Sequence, residues 1–262
     1  MAEFFPDHLS NITRYNTEMK KSLIDKAFFL DKVEDSEIFI DFGCADGVLL
    51  GFMEKLFPEY TYIGYDIAVE ELEAAKANTT AKLFSDWKLL IQHVEKIRGD
   101  KKVTVICNSL IHEVYSYSNH VEIKEFWNQI YNSNFNYVVI RDMCVSRTTS
   151  RPSDIISVAK VRQHFQHEDK LNQFETEWGG IYDNWALTHF LLKYRYTESW
   201  AREVKENYLP LNLEALLALI PPTYTPILME HFTLPFIRQR VLADFGIDLQ
   251  DRTHIKLILK LK

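Results

Sequence analysis

The stretch IDFGCADGV, residues 40–48, follows an apolar run and alternates small residues with acids. The apolar run predicts a buried strand that ends at Asp41, and the apolar residues after the loop predict a helix. Gly43, Ala45 and Gly47 leave room for a ligand to lie against the backbone between these two elements. A plain strand-to-helix turn also favours glycine, so the loop alone leaves both interpretations open.

Apolar runs and helical patterns alternate along the chain around this loop, which is typical of a parallel sheet with helices between its strands. The predicted strands are residues 38–42, 62–66, 81–84, 103–107 and 137–141, with predicted helices at Val48–Leu56 and 68–77. Near the end, HFTLPF (231–236) and THIKLILK (253–260) predict two further strands, with a helix over residues 237–245 between them. The pattern predicts a doubly wound α/β fold.

The length and composition predict one enlarged globular domain over residues 1–262, with 47% hydrophobic and 26% charged residues. Apolar residues at helical spacing predict a helix over residues 9–33, within an N-terminal helical cap of residues 1–35. Residues 146–222 are too many for a simple connection between strands. They predict a helical insertion, or lid, inside the domain.

Charge and cysteine usage exclude several classes of protein. The net charge of −7 disfavours nonspecific binding to a nucleic-acid backbone. The three cysteines lie in separate segments without C-x-x-C spacing, which argues against a disulfide framework and a cysteine-rich zinc site. No run of eighteen apolar residues and no signal-peptide pattern is present, so we expect a cytoplasmic protein that does not enter the membrane.

A second acid, Asp66, ends the predicted second strand, 25 residues after Asp41. Dinucleotide-binding folds use an acid at about this separation to bind ribose hydroxyls, although such an acid can equally cap the following helix. The loop reads G-x-A-x-G and carries Asp46 besides Asp41, and two carboxylates would repel a pyrophosphate. They suit a ligand with ammonium and sulfonium groups, such as S-adenosylmethionine.

With these motifs the sequence resembles the class I S-adenosylmethionine-dependent methyltransferases, whose first motif is an acid followed by G-x-G-x-G after the first strand. Alanine stands here at the middle glycine. The resemblance implies a Rossmann-like seven-stranded methyltransferase sheet, mostly parallel, with an antiparallel C-terminal strand for which THIKLILK is the candidate. It also implies S-adenosylmethionine as the cofactor and direct displacement at its methyl carbon.

The resemblance further implies the residues that bind the cofactor. Asp66 would hold the ribose and Asp86 the adenine amino group, although Asp86 can instead cap the helix that starts at Trp87. The complete predicted set is Asp41, Gly43, Cys44, Ala45, Gly47, Asp66, Ile67, Asp86, Trp87 and Asn108.

Polar side chains crowd just after the fourth strand, in ICNSLIHEVYSYSN (106–119). His112 is the candidate general base, and Glu113 is its candidate orienting partner. The alternative is that both begin a helix and face solvent. HEVYS lacks the second histidine of a zinc-binding H-E-x-x-H, so no metal site is predicted. The candidates for substrate binding are Tyr115, Tyr117 and Arg141.

The acidic net charge and the predicted lid favour a small-molecule acceptor. RNA or protein methylation is the alternative, and RNA remains a possible partner. The stretch NSLI lacks the Asn/Asp-Pro-Pro-aromatic motif of related enzymes that methylate DNA amino groups. A binding module without catalysis, or a nicotinamide-binding relative, would be a different class of protein.

Overall fold

One mixed sheet of seven strands carries the fold. A computed structural model describes residues 23–33 and 35–262. The strands are β1 (Ser36–Phe42), β2 (Thr61–Tyr65), β3 (Lys82–Phe84), β4 (Lys102–Asn108), β5 (Tyr137–Met143), β6 (Tyr224–Phe232) and β7 (His254–Leu261). Their order is β3-β2-β1-β4-β5-β7-β6, and β7 runs antiparallel to both of its neighbours. The Rossmann-like sheet with an antiparallel C-terminal strand is therefore confirmed.

Helices separate the strands along the chain. Those before β5 are α1 (Leu23–Lys26), α2 (Val48–Leu56), α3 (Val69–Ala75), α4 (Trp87–Arg98), α5 (Ile111–Tyr117) and α6 (His120–Asn132). Those after β5 are α7 (Ile155–His164), α8 (Lys170–Trp178), α9 (Asn184–Lys193), α10 (Trp200–Glu203), α11 (Leu213–Ala218) and α12 (Pro235–Phe245). Within the described part of the chain, no helix has the length and apolar character needed to cross a bilayer.

Strand β1 shows why the parallel strands are apolar along their whole length. Successive side chains of a strand point to opposite faces of the sheet. Ile40 packs in the core formed with α4 and α6, whereas Phe39 packs in the core formed with α2 and residues 23–33. Asp41 alternates with Ile40, so its side chain lies on the face that residues 23–33 cover.

The region predicted as a helical insertion, residues 146–222, contains α7 to α11. Together with α12, helices α7 to α10 enclose a separate hydrophobic core, which includes Val158, Val161, Phe174, Phe190, Leu191, Val241 and Phe245. Leu216 of α11 packs instead in the core formed with α4 and α6. The region thus has packing of its own beside the sheet. Its role as a lid stays a prediction.

The last parallel strand lies earlier in the chain than predicted. The prediction was residues 231–236, but β6 covers Tyr224–Phe232 and α12 begins at Pro235. Strand β6 is at the edge of the sheet, where Pro226 is tolerated because one side of the strand needs no backbone partner. The sequence does not predict the first part of this strand, because it contains a proline and most of its side chains are exposed, so it lacks the apolar pattern of a buried strand.

The predicted N-terminal helix is described only in part. Within residues 23–33 the chain is helical over α1, and turns follow from residue 27 to residue 32. Residues 1–22 lie outside the described residues, and with them most of the predicted cap.

Gly51 of α2 provides a test of the packing next to the loop that follows β1. A Cβ atom at this position would lie 1.9 Å from the backbone oxygen of Asn78. Because the backbone must move, we expect Gly51→Ala to destabilise the protein by about 2 kcal/mol, despite the higher helix propensity of alanine. Urea unfolding measures this change.

Gly180→Ala is the matched control, since a Cβ atom at that position would have its nearest neighbour 3.6 Å away. We expect that variant to unfold at the wild-type urea concentration. Wild-type stability of Gly51→Ala would contradict the close contact.

Candidate functional site

The loop after β1 passes through left-handed backbone conformations at three alternate positions. The φ angles are +80° at Gly43, +43° at Ala45 and +70° at Gly47. The backbone N–H groups of Gly43 and Cys44 donate to the carbonyl oxygen of Tyr65 at 2.8 and 3.0 Å, which ties the loop to β2. Glycine has no Cβ atom and adopts these angles without strain, so any side chain at position 43 or 47 would strain the loop.

Asp66 joins this loop to the start of α3. Its Oδ2 accepts a hydrogen bond from the backbone of Ala45 at 3.0 Å, and its Oδ1 accepts one from Ala68 at 2.9 Å. Each carboxylate oxygen has a second lone pair, so Asp66 can also accept ribose hydroxyls. Ile67 beside it is 80% exposed, which leaves an apolar side chain available to cover a ligand.

Asp41 and Asn108 lie at the ends of the neighbouring strands β1 and β4. Both have side-chain oxygens that accept no hydrogen bond within the described residues. Asp41 is 4% exposed, and its carboxylate makes no hydrogen bond within the described residues. Burial raises its pKa, the Lys26 charge lowers it, and the Asp66 charge raises it further. Asn108 is 8% exposed, and its Oδ1 lacks a partner in the described part of the chain. Two such acceptors fit the ammonium group of S-adenosylmethionine.

Asp86, predicted to bind the adenine amino group, and Trp87, predicted to bind the cofactor, both have structural roles in the described chain. Asp86 is exposed and caps α4, because its Oδ1 accepts a hydrogen bond from the backbone of Leu89 at 3.0 Å. Trp87 is half-buried, with its ring centroid 5.2 Å from that of Phe42 and 5.6 Å from that of Tyr65. The capping alternative for Asp86 therefore holds, and a contact with adenine stays a prediction.

His112 lies buried at the start of α5 and pairs with Asp142 at the end of β5. Its Nδ1 is 2.7 Å from Asp142 Oδ1, and the two residues are 4% and 2% exposed. Glu113, predicted as the orienting partner, does not occupy this position. The sequence analysis did not identify Asp142 as this partner, since the predicted strand ended at Arg141. The signal that could have identified it is an acid directly after an apolar strand.

Asp142 also fixes the helix that carries His112. Its Oδ2 accepts from the backbone of Ile111 at 2.6 Å, and its Oδ1 accepts from the backbone of Met143 at 2.7 Å. Burial alone would lower the pKa of His112, but the charge and hydrogen bond of Asp142 raise it to about 9. The Nε2 atom makes no hydrogen bond within the described residues, so it remains available to a ligand.

The outer side of α5 contacts the inserted region. Glu113 accepts a hydrogen bond from Arg202 at 3.2 Å, and Arg202 also donates to the buried Glu206 at 2.9 Å. Tyr117 donates its hydroxyl to Glu206 at 2.7 Å. Burial and the neighbouring Glu206 raise the pKa of Glu113, whereas His112 and Arg202 lower it.

Two residues predicted to bind substrate, Tyr115 and Arg141, have partners within the protein. Tyr115 accepts a hydrogen bond from the indole of Trp127 at 3.0 Å and packs against the core between α5 and α6. Arg141 is buried, donates to Asp25 at 2.9 Å and donates to Ser109 at 3.1 Å. The sequence did not show which neighbours the fold would bring to these two side chains. A contact with substrate stays a prediction for both.

Comparison with known proteins agrees with this geometry. A family profile described as "Methyltransferase domain" matches residues 34–185, which is more than half of the chain. None of the curated protein sequences matches the chain.

Two solved structures share the fold. One is the plantazolicin methyltransferase BamL in complex with a triazolic desmethylPZN analog and SAH, with 12% identity and a TM-score of 0.51, covering 98% of this chain and 91% of that chain. The other is the plantazolicin methyltransferase BpumL in complex with a pentazolic desmethylPZN analog and SAH, with 13% identity and a TM-score of 0.50, covering 98% and 92%.

The chain therefore belongs to the methyltransferase domain family, which confirms the class predicted from its first motif. It is an S-adenosylmethionine-dependent methyltransferase, with S-adenosylmethionine as the cofactor. Among the described residues, no group of three or more histidine, cysteine or acidic side chains is placed to hold a metal ion.

Two buried histidines are expected to differ in charge at neutral pH. Asp142 raises the pKa of His112 to about 9, whereas burial and Arg141 lower the pKa of His254 to about 3. We expect side-chain nitrogen NMR spectra at pH 7 to show a cationic His112 and a neutral His254.

The stability that the His112 charge contributes follows from the same shift. The folded pKa of about 9 lies above the ordinary 6.5, so this contribution is complete below pH 6.5 and is lost as pH rises through about 9. In Asp142→Asn the pKa of His112 should fall. A neutral His112 at pH 7 in the wild-type protein would refute the ion pair.

Proposed function

We propose that this methyltransferase acts on a small-molecule acceptor, by direct displacement at the methyl carbon, with His112 as the general base. The observation that carries the proposal is the buried His112–Asp142 pair. This pair lies at the sheet edge that also carries the loop after β1, residues 43–47, which we call the cofactor loop. The free Nε2 of His112 offers a site for the proton of an acceptor hydroxyl or amine.

Contacts of the inserted region support a small acceptor rather than a polymer. Arg202 of this region reaches Glu113, and the ring of Tyr208 lies 5.5 Å from that of His112, between centroids. The space beside His112 is thus walled by the inserted region, which favours a compact ligand. The net charge of −7 also disfavours RNA, the alternative acceptor.

The proposed roles fall into two groups, one for residues that bind the cofactor and one for residues that act on the acceptor. S-adenosylmethionine supplies a methyl group on a sulfonium leaving group. Asp41 and Asn108 would hold its ammonium, and Asp66 would accept hydrogen bonds from its ribose. His112 would take the acceptor proton at Nε2, while Asp142 keeps the Nδ1 proton in place and offsets the new positive charge.

His112→Ala should bind the cofactor normally and transfer the methyl group at least about a hundredfold more slowly, the range for loss of a general base. His120→Ala is the matched control, because His120 is exposed at the start of α6. The wild-type rate should rise with pH up to about 9, since only neutral His112 accepts a proton. Full activity of His112→Ala would reject its role.

The acceptor class is tested with methyl-labelled S-adenosylmethionine and cell extract separated into small-molecule, RNA and protein fractions. A triazolic desmethylPZN analog, the ligand in the BamL structure, is a defined compound to include. Label in the small-molecule fraction is expected. Label only in RNA or protein would overturn the proposal, and cofactor binding without any transfer would support a binding module instead.

Asp66→Ala should weaken S-adenosylmethionine binding more than tenfold, a loss of at least about 1.4 kcal/mol, because it removes the acceptors for the ribose and frees the loop backbone. Isothermal calorimetry measures the dissociation constant. Asp154→Ala is the matched control, because Asp154 is an exposed acid that caps helix α7 and has no proposed role at the cofactor loop. Unchanged affinity in folded Asp66→Ala would remove this residue from the site.

A further inference from the structure

The cofactor loop does not match both charges at the methionine end of S-adenosylmethionine. That end carries an ammonium and a carboxylate, and the loop offers the carboxylates of Asp41 and Asp46. Acids attract the ammonium and repel the carboxylate. A cationic side chain beside the loop would offset this repulsion and bind the carboxylate of the cofactor.

Most cationic side chains at this edge, as far as the structure describes it, already have carboxylate partners. The ion pairs are Arg141 with Asp25 at 2.8 Å, Lys256 with Asp25 at 2.5 Å, and Arg202 with Glu206 at 2.8 Å. Using one of these cations to bind a ligand would weaken an ion pair that the fold already contains.

Lys26 is the exception. Its charge interacts with the charges of Asp41 and Asp46, yet its ammonium donates no hydrogen bond within the described residues. Burial and the neighbouring Arg141 lower the pKa of the Lys26 ammonium, against the charges of Asp41, Asp46 and Glu113, so a further negative charge beside it would add compensation. An anionic ligand group would supply it.

The segment that carries Lys26 is fixed against the strand ends. Asp25 bridges Arg141 of β5 and Lys256 of β7, and the backbone oxygen of Lys26 accepts a hydrogen bond from Asn108 Nδ2 at 3.3 Å. Phe29 anchors the following turn in the core beneath the sheet face that also carries Asp41. The backbone of Lys26 is thereby fixed beside Asn108, at the end of β4.

We propose that Lys26 binds the carboxylate of the cofactor's methionine, while Asp41 binds the ammonium. The inference rests on the proposed placement of the cofactor at the β1 loop. It assigns α1 to the cofactor site, in addition to the loop and the ends of β2 and β4.

The test compares two ligands that differ only in this carboxylate. Calorimetry without acceptor is done with S-adenosylmethionine and with decarboxylated S-adenosylmethionine. In Lys26→Met we expect about tenfold or greater loss of affinity for the first ligand and less than about threefold for the second. Lys26→Arg should retain most of the affinity for both. Lys32→Met is the matched control on the same segment, because Lys32 is exposed and pairs with Asp31 at 2.7 Å.

The outcomes separate this inference from the proposed site. Equal losses for both ligands would mean that Lys26 only supports the fold of the segment, and unchanged or tighter binding would mean that it does not meet the carboxylate. Either result overturns the role of Lys26 and leaves the cofactor loop in place. Absence of binding to the wild-type protein would overturn the loop assignment as well.

Discussion

The proposed acceptor side of the site depends on one buried carboxylate, that of Asp142. Its two oxygens take hydrogen bonds from the ring of His112 and from the backbone of Ile111 and Met143. A buried charge is tolerated only when its partners are complete, and removing one partner of such a pair typically costs about 3–5 kcal/mol. One side chain thus fixes the end of β5, the start of α5 and the orientation of the candidate base.

Asp41 and Asp142 are both buried acids at the same edge of the sheet, but their surroundings differ. The protein supplies Asp142 with a cation and with backbone donors, and these partners lower its pKa against the effect of burial. Asp41 has no hydrogen bond within the described residues, and burial raises its pKa. The fold supplies the first acid with hydrogen-bond donors, whereas the second has only the charge of Lys26 nearby to offset its burial. This contrast supports the positioning role proposed for Asp142 and the proposed role of Asp41 in binding the ammonium of the cofactor.

The sequence predicts the parallel part of the fold well, because β1, β2, β4 and β5 are buried on both faces and their apolar runs are continuous. It fails at β6, an edge strand that contains Pro226. The cofactor loop is local in sequence, so its small residues and Asp66 could be found. The partners of His112 and Arg141 could not, since they come from elements that are distant in the chain. Asp25 lies 116 positions before Arg141, and only the folded sheet brings them together.

The inserted region follows the strand that carries Asp142. It begins at residue 146, soon after β5 ends at Met143, at the sheet edge where ligands bind in this class of fold. Lys193 is fully buried and donates to the carbonyl oxygens of Glu203 and Glu206, which fixes the turn that contacts α5. This turn lies beyond residue 185, where the match to the family profile ends. The family profile therefore covers the cofactor loop, but it does not cover the turn of the inserted region that lies beside His112.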